Sequence, residues 1–560
     1  MSNDEKNKDE NHQSDLSLKK WLKKKIDRKD FLHKSTKITK AVVGSALMGG
    51  PLMAIACSDD SAGTKPPPSE PEKKKDPFQL GVASGDPLPD GVVLWTRLAP
   101  EPLKINGGMS SDPAEVKWEV AEDKSFQQIV KRGTVTATAD YAHSVHVELE
   151  GLKPFHKYYY RFKHKSHVSD IGRTKTAPSA DADIDQLNFA FASCQSYTNG
   201  YYTAHDHLAK EDIDVLFFLG DYMYQSGEKG SIGRPHIPSH TTKSLTDYRT
   251  RYAQYKSDPS LKAAHAAFPW IVTFDDHEVK NNWASDFPSA NAESGGTFLD
   301  RRARAFQAYY EHMPLRKSSI PDNFANMQIY RRFSYGNLAD FNVLDTRQFR
   351  TDYACNTGGY ANCPERMDPS RTMLGDQQEQ WLFSGLEQSS ARWNILPQQV
   401  FMGQMDRKSG PNETFSMDRW DGYTGTRDRL FNAVKKHDVS NFVVLTGDIH
   451  RNFAADLLED FNDPNSAAIG SELVATSISS AGNGADITSS GRMILDENPW
   501  IKFVNRQRGY VRCQLTPDQL KADYRIVNYV EKPGAPIHTR ASFVIKDGQP
   551  GVTQISGREV

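Results

Sequence analysis

Apolar and polar residues follow two different rhythms along this chain. From about residue 78 to 180 they alternate with a period of two, in GVVLWTRL, EVKWEVAED and HSVHVELEGL, each run bounded by turn residues. That period puts one face of a strand in a core and the other in water, so residues 78–180 predict a small all-β sandwich. From 187 to about 500 the pattern changes to short, continuous apolar runs: LNFAFASC, DVLFFLGDY, WIVTFDDHE, FNVLDTR, WNILPQQV, NFVVLTGDIH and ELVATSIS. Runs without polar relief are strands buried on both faces, and helical or irregular stretches separate them, which predicts a layered α/β domain over 187–545. Alternation returns in GYVRCQLT and KADYRIVNYV, and residues 546–560 are expected to be a tail. Several apolar runs end in Cys194, Asp221, Asp276, or Asp448 with His450. The carboxyl ends of strands in an α/β sheet form its ligand crevice, so distant parts of the chain deliver polar side chains to one rim.

The first 77 residues belong to neither rhythm. A Lys- and Arg-rich stretch from Lys19 to Lys40 precedes the uncharged segment AVVGSALMGGPLMAIA. That segment is too short and too broken by Gly and Pro to span a membrane, and residues 1–57 read as a signal peptide. Arg28-Lys29-Asp30-Phe31-Leu32 is similar to a twin-arginine signal with Lys in the second position; an ordinary export signal is the alternative. Ala54-Ile55-Ala56-Cys57 resembles a lipobox, in which Cys57 is lipidated and anchors an exported protein to a membrane. A soluble periplasmic protein is the alternative. Residues 58–77 form a Pro-rich, charged tether that cannot build a core.

Charge narrows the partners. Across 560 residues the formal net charge is −2, which gives no electrostatic case for a nucleic-acid partner. A monomer acting on a small molecule is the expectation. The five cysteines have separable roles. Cys355 and Cys363 lie in CNTGGYANC, and in an exported chain this loop predicts a local disulfide, with two free thiols as the alternative. Cys513 sits in the alternating run YVRCQL as a small buried hydrophobe.

Three short motifs carry candidate chemistry. In Gly220-Asp221-Tyr222-Met223-Tyr224, a carboxylate after a buried strand can bridge two cations, and Tyr224 can reach back as a phenolate, a hard anion suited to Fe(III). In Phe274-Asp275-Asp276-His277-Glu278, three carboxylates and a His after an apolar run are costly to bury unless a cation or phosphate joins them. Asn281 and Asn282 follow, with neutral amide oxygens. In Thr446-Gly447-Asp448-Ile449-His450, the Asp and His are two apart and project to one side of an extended segment, a two-point grip on a cation. Arg301 and Arg302, in RRARAFQAYY, offer guanidinium groups for a phosphate; a solvated helix start is the alternative. His277 is the candidate to contact that phosphate or assist the leaving group, against the reading of a core His.

The ordered set SCQ, GDYMY, DDHEVKNNW, LDTRQFR, LGDQQEQWL and GDIH resembles the PhoD-type alkaline phosphatase family of the metallophosphoesterases, over roughly residues 78–545. The resemblance implies a layered α/β fold, a metallophosphoesterase-like β-sandwich core flanked by helices, with an N-terminal fibronectin- or immunoglobulin-like all-β domain. In that domain Gly151-Leu152-Lys153-Pro154 before Tyr158 resembles a tyrosine corner. It also implies iron and calcium cofactors and hydrolysis of phosphate esters by a metal-activated oxygen nucleophile. Cys194 and Tyr224 would then ligate Fe(III), Asp221 would bridge iron and calcium, and Asp448 and His450 would complete the shell. Asn281 or Asn282, with Asp276, would serve the calcium side or the substrate, and family spacing favours Arg302 over Arg301 at the phosphate. A phosphodiesterase or phospholipase-D-like enzyme of the same family is the first alternative. A non-enzymatic surface lipoprotein that binds a partner through the β-sandwich is the second.

Overall fold

The computed structural model describes residues 75–289 and 295–557. The signal peptide, Cys57 and most of the tether lie outside these residues. Two sheets dominate the fold. The first has ten strands, among them Leu187–Ala192, Val215–Leu219 and Trp270–Thr273 side by side in parallel. The second has seven, with Ala339–Val343, Trp393–Pro397, Phe442–Thr446 and Ala468–Val474 parallel at its centre. Their facing surfaces share one core. Phe189, Phe191, Val215, Phe217 and Ile271 from the first sheet meet Phe341, Trp393, Ile395, Val443, Leu445 and Leu473 from the second. Phe217 stacks on Phe341 with ring centroids 4.6 Å apart.

The residues between these positions face outward and are buried too, because helices cover both outer faces. Ala190, Ala192, Leu216, Phe218, Trp270 and Val272 pack with Tyr248, Tyr252, Phe306 and Tyr309 from helices Leu245–Lys256 and Gly295–His312. On the other side Leu396, Val444 and Val474 pack with Leu382, Leu386, Leu430 and Phe431 from helices Gly375–Gln388 and Thr424–Lys436. The result is four layers, helix–sheet–sheet–helix. Burial on both faces is why these strands read as unbroken apolar runs. Each large side chain so buried contributes about 1.5–3 kcal/mol. Among the described residues no helix is long and apolar enough to cross a membrane.

The structure departs from the sequence reading at both ends of the described chain. Residues 78–180 do not form a self-contained sandwich. Strands Val82–Leu88, Gly91–Arg97 and Ser144–Leu149 extend the ten-stranded sheet, joined to it where Gly85 pairs in parallel with Trp270. A separate five-stranded sheet, built on Ala114–Ala121, Ile129–Ala137 and Lys157–His164, covers these strands through a core that includes Val92, Leu94, Val116, Val120, Tyr158 and Phe162. All described residues belong to one compact unit, Lys73–Val560. The Lys153 N–H donates to the Tyr158 hydroxyl at 2.9 Å, as a tyrosine corner requires. Residues 546–560 are not a free tail: Gln549–Gly557 is the edge strand of the ten-stranded sheet, and Val552 enters the inter-sheet core.

Candidate metal centre

Parallel strands from both sheets end at one rim, and a bridge between Ser193 and Ser477 ties the two sheets together there. Just past the strand ends stand Cys194, Asp221, Asp275, Asp276, Asp448 and His450. The backbone bends sharply to present them. Cys194, Asp221, Asp448 and His450 all hold left-handed conformations, with φ of 60°, 56°, 60° and 53°. For residues with a Cβ this costs of order 1 kcal/mol or more each, and such positions cluster at sites where geometry serves chemistry. Gly220 is required in front of Asp221: a Cβ there would lie 2.4 Å from Cβ of Asp275.

Hydrogen bonds lock the turns. Glu278, buried, accepts from three backbone N–H groups, those of Asp221 (3.2 Å), Tyr222 (2.5 Å) and Asp275 (2.9 Å). The Cys194 N–H donates to the Gly220 carbonyl at 3.1 Å, and the Cys194 carbonyl accepts from Ser480 Oγ at 2.8 Å. Gln195 donates to the Tyr222 carbonyl at 2.9 Å, and its Oε1 is held by His205 Nε2 at 2.6 Å.

Two donor groups result, and they share one residue. Ligand atoms of Cys194, Asp221 and His450 lie within 4.8 Å of one another, as do those of Asp221, Asp276 and His277. The Tyr224 hydroxyl joins the first group, 3.0 Å from Asp221 Oδ2, 3.0 Å from His450 Nε2 and 2.7 Å from Ser480 Oγ. Asp221 thus stands where one carboxylate can serve two cations. His277 stacks against Tyr224 with centroids 4.1 Å apart, and its Nδ1 faces Gln225 Oε1 at 2.7 Å. In that bond Nδ1–H donates to the amide oxygen of Gln225, and Nε2 faces Asp276 Oδ1, 3.9 Å away.

The electrostatics of this cluster fit bound cations. Asp221, Asp275, Asp276, Glu278 and Asp448 are buried around one point. Burial, and then repulsion from its neighbours, pushes Asp221 well above the usual carboxylate range, and burial raises Glu278 to about 7. Burial also opposes ionisation of Asp276, but His277, Arg347 and the Asn282 N–H outweigh it and hold its carboxyl down to about 2. Burial and Asp221 push the Cys194 thiol and the Tyr224 phenol up as well. The nearby cations are already engaged: Arg347 pairs with Asp275 at 2.5 Å and with Asp418 at 2.5 Å, and Arg419 meets Asp448 at 3.3 Å. A positive ion at Asp221 would reverse the balance and hold thiolate, phenolate and carboxylate as anions. Burial keeps His450 neutral, its pKa lowered to about 3, which suits a ligand.

Not every residue singled out in the sequence reaches this cluster. Arg302 donates to the carbonyls of Ser285 and Ala325 and to Asp286, and Arg301 donates to the Tyr248 hydroxyl. Both side chains are buried. Asn281 is exposed, and Asn282 meets Asp276 through its backbone N–H. Cys355 and Cys363 are joined in a disulfide, and Cys513 is buried in the inter-sheet core. The sequence reading missed Ser480 and Arg419, which no motif marks, and the clamp role of Glu278, which its place in DDHE concealed.

Two stacked sheets bring two groups of candidate metal ligands to the ends of their parallel strands. Comparison with known proteins identifies the family. The PhoD-like phosphatase family profile matches residues 189–524, and the profile of that family's N-terminal domain matches 63–178. The chain is 48% identical over 550 residues to alkaline phosphatase D of Bacillus subtilis (strain 168), covering 98% of this chain and 94% of that protein. A solved structure titled "Structure of PhoD" superposes with a TM-score of 0.84 at 52% identity, covering 88% of this chain and 94% of the other. The chain belongs to the PhoD-like phosphatase family and is a phosphoric ester hydrolase.

Proposed function

We propose that this protein is an exported alkaline phosphatase that releases phosphate from esters for uptake, anchored to the membrane through a lipid on Cys57, with iron and calcium at the strand-end cluster. One observation carries the catalytic part: Asp221 is common to two donor groups of different chemistry. Cys194, Tyr224 and His450 supply sulfur, phenol and imidazole, a set suited to iron. Asp276, with the second face of Asp221, supplies the carboxylate oxygens that calcium prefers. The Cys355–Cys363 disulfide and the basic-then-apolar N-terminus support export.

Metal ions held here would neutralise the phosphate's charge and supply an activated oxygen nucleophile. The remaining work falls to the protein. Glu278 fixes the Asp221 and Asp275 turns, so the donor atoms need no rearrangement when substrate arrives. His277, oriented by Gln225, keeps Nε2 at the cluster, where in its imidazolium form it can donate to a phosphate oxygen or give its Nε2 proton to the departing alcohol.

The test is hydrolysis of p-nitrophenyl phosphate and bis(p-nitrophenyl) phosphate by the purified protein, with elemental analysis. Turnover of the monoester, iron and calcium in the protein, and loss of turnover in Asp221→Asn are expected. Turnover of the diester alone would make it a phosphodiesterase, and wild-type turnover by Asp221→Asn would overturn the centre.

A further inference from the structure

Beside the cluster stand arginines that the reaction above does not use. Arg419 donates from Nε to Asp448, but its Nη1 is buried and meets no acceptor. Arg451 directly follows His450; its Nη2 reaches Ser490 Oγ at 3.3 Å, and its Nη1 is buried without an acceptor as well. Arg407 donates to the Tyr360 hydroxyl at 2.7 Å and lies 4.5 Å over its ring. Arg407, Arg506, Tyr360 and Arg419 are the ionisable groups whose charge bears on the Arg451 guanidinium.

Local structure brings them there. Tyr360, half exposed, sits on the loop closed by the Cys355–Cys363 disulfide. Its strand, Tyr360–Ala361, pairs with Phe415–Ser416, the segment that leads into Arg419. Arg407 is tied to the same segment, its N–H donating to the Thr414 carbonyl at 3.0 Å.

Physical chemistry argues against leaving this group as it stands. A buried N–H without an acceptor is destabilising, and clustered guanidinium groups repel. A planar guanidinium with free N–H groups is matched by a carboxylate or phosphate, which bonds it bidentately. On the phosphoesterase reading the scissile phosphate would bind at cations held around Asp221. Asp448, which Arg419 meets at 3.3 Å, belongs to neither donor group that shares Asp221, so an anion on the arginines would be a second one.

We propose that Arg407, Arg419 and Arg451, with Tyr360, form a subsite for a second anionic group of the substrate, a carboxylate or phosphate carried on the same molecule as the scissile ester. The inference rests on the phosphoesterase reading and names the class of ester the enzyme prefers.

Two phosphonates that differ by one distal carboxylate test it: propylphosphonate and 3-phosphonopropionate. Their inhibition of p-nitrophenyl ester hydrolysis, and their binding by calorimetry, are measured on the full-length protein in calcium-containing buffer. The wild-type protein should bind 3-phosphonopropionate about tenfold more tightly, as one added charge-assisted contact implies. Arg451→Gln should bring the ratio close to one, and Arg451→Lys should fall between. Arg407→Gln, at a more accessible position, should also lower the ratio and serves if Arg451→Gln does not fold. Equal binding of the two phosphonates by the wild-type protein, or an unchanged ratio in folded Arg451→Gln or Arg407→Gln, would overturn the subsite. A wild-type protein that hydrolyses neither ester would overturn the phosphoesterase reading instead, and calorimetry would still read the ratio.

Discussion

Glu278 is the residue on which the geometry of the centre turns, and Glu278→Gln isolates its role. The side chain keeps its volume but loses its charge and one acceptor oxygen. In the wild-type protein Oε2 accepts from Asp221 and Asp275 and Oε1 accepts from Tyr222. With Gln, one or two of these buried N–H groups face an NH₂ donor, a loss of about 2–4 kcal/mol at about 2 kcal/mol for each stranded group. For a body of this size the unfolding entropy is about 1 kcal/mol/K, so the thermal midpoint should fall by about 2–4 °C. The larger effect is on rate. Asp221 is held at φ 56°, and without its clamp the peptide can relax away from that conformation. A shift of about 1 Å in a reacting geometry costs on the order of 100-fold in rate. Glu278→Gln should therefore lose kcat on p-nitrophenyl phosphate by about that factor, with a smaller change in KM. Calorimetric melting and steady-state kinetics on the same preparation check both numbers. A variant with wild-type kcat and an unshifted midpoint would show that the clamp does not hold the centre.

Three further outcomes are expected. Cys194→Ser should fold, lose most activity, and lose or shift a visible absorption band arising from sulfur and phenolate bound to Fe(III); wild-type iron content and spectrum in this variant would make Cys194 a core residue. His205, fully buried with Nδ1 facing no partner, has its pKa lowered to about 3 by burial, so it contributes stability above pH 6.5 that is lost as pH falls from 6.5 toward 3. Removing this group in His205→Gln should flatten the wild-type loss by up to about 2–3 kcal/mol between pH 6.5 and 4.5, read from denaturant unfolding at each pH. Cys57→Ser should release the protein from membranes into the soluble fraction, and wild-type protein already soluble, with an N-terminus elsewhere than Cys57, would refute the anchor.

The residues nearest the chemistry were legible because their signals are local. Cys194, Asp221, Asp276 and His450 each follow an apolar run, and a run buried on both faces announces a central strand whose end must lie at a rim. What escaped depended on pairings distant in sequence. Alternation in residues 78–180 predicts strands, but not that Gly85 pairs with Trp270 and merges the region into the large sheet. Gln549–Gly557 is largely polar because it is an edge strand, with Val552 buried at the margin of the core. Arg301 and Arg302 open a helix with the charge a phosphate wants, yet their partners at Tyr248, Ser285 and Ala325 come from other segments. Arg419 carries no motif, and only the fold brings it beside Asp448.

The central claim is that metal ions held around Asp221 perform the hydrolysis. The most direct measurement is elemental analysis paired with p-nitrophenyl phosphate turnover, on wild-type protein before chelation, after removal of calcium and after its return. Iron and calcium in the active protein, loss of turnover on chelation and its recovery on adding calcium back are the predicted results. Full turnover by a preparation shown to hold no metal would contradict the account.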